Sequence, residues 1–116
     1  MRILILFTAI SFFISCSTRT VTEVRITNEN PYPISVKITT NNVSQTFSGI
    51  KPKEEFKGFY DWTALEKRDG QWVFRIENEN NKGADEFTHG YYTNGELFNY
   101  VTLICKGDQL KVQISE

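Results

Sequence analysis

The chain is poor in the residues that most chemistry needs: one histidine, one methionine and two cysteines in 116 positions. A single histidine, His89, excludes a multi-histidine zinc or iron site, and a site built from His89 and Cys105 would need carboxylates that no spacing supplies. Two cysteines are too few for the disulfide framework that staples many small secreted domains, so a hydrophobic core must suffice. No glycine-rich phosphate loop and no Gly-x-Ser-x-Gly turn occurs. Carboxylates are scattered without marking a cleft for an acid–base pair. A nucleophile also needs a base that a third group orients, and no spacing sets one up. With 13 basic against 14 acidic side chains the chain lacks the basic patch that nucleic-acid binding demands.

Long apolar runs are scarce as well. The one that exists, Ile3 to Phe13, follows a lone basic residue, Arg2, and stops at Phe13-Ile14-Ser15-Cys16. A membrane-crossing helix needs about 20 apolar residues, so this run is too short to remain as one. Basic head, short apolar middle and small residue at the cut make a secretory signal. Cutting after Ser15 by an ordinary signal peptidase would place Phe13 in a pocket meant for a small residue.

Phe13-Ile14-Ser15-Cys16 instead resembles the lipobox of bacterial lipoproteins, with Phe13 where that family usually has Leu. The resemblance implies that the Cys16 thiol is diacylated and the chain cut before it. Residues 1–15 are then a helical signal peptide, 16–20 a lipidated cysteine with a short tether, and 21–116 the folded domain. Two or three acyl chains hold a protein stably on a membrane, where one holds only marginally. Ser17 is not the Asp that marks inner-membrane retention in the family, and no acidic run follows Cys16. The implied location is the cell envelope, at the outer membrane and facing the periplasm. Removing the leader leaves 101 residues, with 12 basic against 14 acidic side chains, enough for one compact domain.

Aromatic residues make up 14% of the chain, which favours strands. Thr22, Val24 and Ile26 alternate with Glu23, Arg25 and Thr27, and Ile34, Val36 and Ile38 with Ser35, Lys37 and Thr39. The two prolines of Pro31-Tyr32-Pro33 separate these strands, and Asn41-Asn42 suits a tight hairpin into Val43, Gln45 and Phe47. Phe56, Gly58, Tyr60 and Trp62 share a parity, as do Trp72, Phe74 and Ile76, and then Phe87, His89 and Tyr91. Residues 61–68 either turn once, capped by Asp61, or form the first arm of a hairpin through Asp69-Gly70; the arm is the expectation. Asn94-Gly95 is the best two-residue turn, expected to lead back into 97–105, and Leu110, Val112 and Ile114 form the last strand. About eight short strands without a helix predict an all-β protein, an antiparallel β-sandwich of immunoglobulin-like or Greek-key type.

Candidate sites are surfaces rather than catalytic groups. The segment 97–105 is apolar on both faces, which reads as a central strand or as a patch of Phe98, Tyr100 and Ile104 open to a protein partner. Tyr91, Tyr92 and Trp62 are the candidates for stacking on a glycan, although Trp62 and Trp72 lie on core-like parities. Glu79, Asp85 and Glu86 are weak calcium candidates in an oxygen-rich loop that lacks the spacing of a calcium motif. Cys105 reads as a small buried hydrophobe. No cofactor is expected. The expected function is that of a lipid-anchored, non-enzymatic module that binds an envelope protein as adaptor or inhibitor. A glycan-binding lipoprotein is the alternative, and a small envelope hydrolase the third.

Overall fold

The computed structural model describes residues 20–116; the expected signal peptide, Cys16 and the expected tether up to Arg19 lie outside the described residues. Eight strands follow one another: β1 (Val21–Asn28), β2 (Ile34–Thr40), β3 (Val43–Ile50), β4 (Glu55–Asp61), β5 (Gly70–Asn78), β6 (Ala84–Tyr92), β7 (Tyr100–Lys106) and β8 (Gln109–Ser115). They form two four-stranded sheets, a front sheet in the order β4-β1-β7-β8 and a back sheet in the order β3-β2-β5-β6. The expected all-β sandwich is what the chain folds into. Hairpins join β2 to β3, β5 to β6 and β7 to β8, and the other connections cross between the sheets.

Period-two patterning decides what each strand buries. Val24 and Ile26 of β1, Ile34, Val36 and Ile38 of β2, and Val101 and Leu103 of β7 are all buried by alternation. Each such side chain contributes about 1.5–3 kcal/mol by leaving water. Between the sheets lies an aromatic centre in which Trp72 stacks on Phe74 at 5.9 Å, tilts against Tyr60 at 5.8 Å and meets Tyr92 edge-on at 6.4 Å.

Three departures from the sequence reading have physical causes. One neighbouring pair, β1 with β7, runs parallel rather than antiparallel, Glu23 facing Tyr100 and Asn28 facing Cys105. Five strands separate the two in the chain, so the long crossover that a parallel pair requires is available. Residues 62–69 are not a hairpin arm: β5 already has β2 on one side and β6 on the other, leaving no vacant ladder. Asp61 instead caps a single turn, its Oδ1 accepting from the Thr63 backbone N–H at 2.9 Å and hydroxyl at 2.6 Å, while the Leu65 N–H donates to the Trp62 carbonyl. Asp69-Gly70 accordingly makes no hairpin turn; Gly70 opens β5 opposite Tyr92. The Asn94-Gly95 turn forms, with both residues at positive φ and one bridge between Thr93 and Glu96, but the chain then leaves for the front sheet.

The third departure lies in β6. Trp72 pairs with His89 and Gln71 with Tyr91, so Gly90, at φ 72°, is an extra residue that reverses the parity of the strand. Phe87 and Tyr92 therefore both point inward, and Tyr91 leaves the face it would share with Phe87 by plain alternation.

Buried polar groups bolt the two ends of the sandwich. At the far end Asn28, wholly buried, donates through Nδ2 to the carbonyls of Tyr32 (2.9 Å) and Ile50 (3.0 Å) and accepts from the Asn30 N–H (3.0 Å). Asn30 carries the chain of bonds on to the Cys105 carbonyl and to the Gly107 N–H. At the near end, where the chain enters at Thr20, the Trp62 indole N–H donates to the Thr22 hydroxyl (3.0 Å), which donates to the Phe98 carbonyl (2.6 Å). Tyr60 crosses between the sheets, donating to the Val43 carbonyl (2.9 Å) and bonded to Thr40 (2.6 Å). Burial pushes its phenol up to about 12.

Candidate functional site: the outer face of the front sheet

Strand register lays out the outward side chains of the front sheet in rows. Beyond the outward pair Val21 and Asp61, Phe59, Glu23, Tyr100 and Ser115 form the first row to cross all four strands; Lys57, Arg25, Thr102 and Gln113 form the next; Glu55, Thr27, Ile104 and Lys111 the third. Glu23 sits at the centre of the first row, with Lys57 Nζ at 3.0 Å and Arg25 Nε at 3.3 Å. The hydrogen bond from Lys57 holds its carboxyl below the usual carboxylate range. Pairs this exposed contribute little to stability, so their effect is to fix which side chains stay available beside them.

Several hollows open on this face, one of about 270 Å³ lying over Arg25, Tyr100 and Gln113. A small one of about 160 Å³ is bounded by Val21, Glu23, Phe59 and Tyr100. A larger open groove of about 520 Å³ runs between β7 and β8, bounded by Thr102, Ile104, Lys111, Val112 and Gln113. Ile104 and Lys111 also border a further hollow of about 250 Å³ with Glu29, Lys106 and Gln109. Lys106 and Lys111 have no ion-pair partner among the described residues. One rim of the groove is β8, whose outer edge carries no further strand. The back sheet presents a different surface, with Ser35, Lys37, Thr46, Arg75 and Glu77 outward around a hollow of only about 80 Å³.

Of the partner-binding candidates, Tyr100 is 41% exposed and Ile104 half-buried on the same face, two rows apart; Phe98, 38% exposed, lies just before β7 in the loop at the near end. Phe59, 58% exposed, joins them and was missed by the sequence reading, which followed the parity of Tyr60. The signal was available, since Phe59 lies between Gly58 and Tyr60 of the inward parity and successive strand residues face opposite ways.

The glycan candidates are not brought together. Tyr91 stands 73% exposed on β6, but Trp62 and Tyr92 are buried in the core and present no ring face to a ligand. Burial follows from chemistry already described: Trp62 is held by Thr22, and the Gly90 bulge turns Tyr92 inward.

The calcium candidates disperse as well. Glu79 Oε2 accepts from the Ser35 hydroxyl at 2.6 Å and the Gly49 N–H at 3.0 Å, bonds that lower its carboxyl and bridge β2 to β3. Asp85 and Glu86 are successive residues of β6 and project to opposite sides. Among the described residues no three His, Cys, Asp or Glu side chains gather as a metal site. Asn28 and Asn30, oxygen-bearing side chains at the other end of β1, are buried as the bolts of the far end.

His89 is exposed on β6 in the back sheet, while Cys105 is buried on β7 in the front sheet, so the two do not share a site. Burial pushes the Cys105 thiol up to about 12. At mildly alkaline pH, about four units lower, only about one thiol in ten thousand is thiolate, the reactive form. Iodoacetamide is therefore expected to leave Cys105 unmodified in the native protein and to label it fully in denaturant; mass spectrometry reads both, and native labelling would show that the β7 core opens. No family model, no curated protein and no solved structure matches this chain, so its function is to be read from the face just described.

Proposed function

We propose that the protein is a lipid-anchored module of the bacterial cell envelope that binds another envelope protein, as adaptor or inhibitor, without chemistry of its own. The observation that carries this reading is the asymmetry of the two outer faces. Away from the end where the chain enters, the back sheet presents Ser35, Lys37, Thr46, Arg75 and Glu77 around a small hollow, whereas the front sheet sets Ile104 in an open groove beside the edge strand β8. Exposed apolar area rimmed by polar side chains is the usual mark of an interaction surface.

The groove also indicates what kind of segment it takes. Its β8 rim offers unpaired backbone groups, to which an extended segment adds as a strand, and Ile104 offers an apolar floor. Lys106 and Lys111 favour a segment that carries acidic side chains. The lipid on Cys16 would hold this surface in the envelope, where its partner resides.

Site-specific photo-crosslinking in intact cells tests the reading. A crosslinker at position 104 or 113 is expected to trap one saturable protein, and one at position 37 or 75 on the back sheet to trap none. Changing Lys106 and Lys111 to Glu should abolish the product. Equal or absent trapping from the two faces overturns the proposal.

A further inference from the structure

Four large apolar side chains are exposed among the described residues: Phe59, Tyr91, Phe98 and Tyr100. All four lie at the end of the sandwich where the chain enters at Thr20. Phe59 and Tyr100 occupy the first row of the front sheet, in register with Glu23. Phe98 precedes that row, its carbonyl bonded to Thr22. Tyr91 sits opposite Gln71 at the start of β5 on the back sheet, one position from the Gly70–Tyr92 pair. The far end, with the loops at Glu29, Lys53, Asn80 and Gly107, exposes no comparable ring. Three residues separate Cys16 from Thr20, and the four steps span about 14 Å at full extension.

From the ring of aromatics and the short tether together, and resting on the lipid-anchor reading of Cys16, we infer that this end of the domain seats on the bilayer surface. Tyr91 and Tyr100 enter the headgroup region, where amphipathic rings are favoured, and Phe59 and Phe98 reach its boundary with the acyl chains. The domain then stands upright. Its groove at Ile104 and Lys111 lies four residues farther along β7 than Tyr100, about 13 Å from the membrane level and in water. Rings rather than charge provide the contact, since Lys67 and Arg68 in the adjacent loop are matched by Glu66 and Asp69. Seating fixes the orientation of the groove, which a lipid tether alone leaves free.

The test uses the full chain, processed in cells, in nanodiscs of phosphatidylethanolamine and phosphatidylglycerol containing a headgroup spin label. Amide broadening by the label falls steeply over the roughly 25 Å between the two ends of the strands. Amides of Asn42, Ala64, Arg68 and Asn94 should broaden several-fold more than those of Lys53, Asn80 and Gly107. Replacing Phe59, Tyr91 and Phe98 by Ser should bring the two ends near parity with the amide spectrum otherwise retained; Tyr91→Ser alone, at the most exposed position, should lower the contrast in the same direction. Equal broadening of both ends, a contrast indifferent to these changes, or near-end shifts that follow protein concentration, as a second copy would cause, overturns the inference. The mass of the mature chain separates the two readings: a Cys16 without diacylglycerol overturns the anchor and the seating with it, whereas an acylated chain without the contrast overturns the seating alone.

Discussion

Changing Trp72 to Ala is expected to remove about 3–5 kcal/mol of stability, the range for deleting a buried large aromatic, and so to leave a marginally stable protein that unfolds at far lower urea. A single domain of this kind holds only about 5–15 kcal/mol in total, less the shorter the chain. The expected cost is at the upper end because Trp72 is wholly buried and three other rings are arranged around it, Phe74 stacked, Tyr60 tilted and Tyr92 edge-on. The neighbours that would have to collapse into the space come from both sheets, and Tyr60 is pinned by its bonds to Thr40 and Val43. Trp72→Phe should cost far less. It keeps a ring in the stack and removes an indole N–H that is buried without a protein partner. Urea denaturation of the three proteins, followed by circular dichroism, measures both differences. An alanine variant as stable as the phenylalanine variant would mean that the aromatic centre is not where the two sheets are held.

Legibility of this fold in the sequence followed one physical rule. Where alternation ran unbroken over a strand buried on one face, as in Thr22–Ile26, Ile34–Ile38 and Trp72–Ile76, burial was readable residue by residue. Where the ladder was interrupted it was not. Gly90 shifts β6 by one residue, so the pattern Phe87, His89, Tyr91 pointed to the wrong face for Tyr91; a glycine inside a strand run was the one local sign. Gly49, at φ 70°, does the same in β3 and lets both Phe47 and Ile50 face inward. Pairing partners were less legible still. Asp69-Gly70 and Asn94-Gly95 read alike as hairpin turns, yet only the second turns, and even there the next strand goes to the other sheet, because which sheet accepts a strand depends on long-range packing. The candidate surface was half visible: Tyr100 and Ile104 were marked by the apolar excess of β7, while Lys106, Lys111 and Phe59 acquire meaning only once register sets them beside the groove or the near end.

Asn28→Asp changes almost no volume and is nevertheless expected to destabilise the domain by about 3–5 kcal/mol at neutral pH, the cost of a buried charge without a partner. In the native chain the two Nδ2 hydrogens point at the carbonyls of Tyr32 and Ile50, and Oδ1 receives the Asn30 N–H. An aspartate keeps only the last of these bonds and sets a negative oxygen against two carbonyl oxygens. Burial and those carbonyls both disfavour ionisation, so the pKa of the new carboxyl is raised in the folded state relative to the unfolded one. The linkage sign follows: the penalty is complete above the folded pKa, shrinks as pH falls through it, and is smallest below the unfolded value, where the neutral acid donates to one of the two carbonyls. Asn28→Ala, which leaves those groups unpaired but adds no charge, should lose about 1–3 kcal/mol with no such pH dependence. Denaturation midpoints of both variants from neutral pH down into the carboxylate range distinguish the cases. If the aspartate variant keeps wild-type stability at neutral pH, or its loss does not shrink on acidification, the far end is not held by Asn28. Because the same chain of bonds passes through Asn30 to the Cys105 carbonyl and the Gly107 turn, loosening it would also free the Lys106 end of the groove from its fixed place beside Ile104.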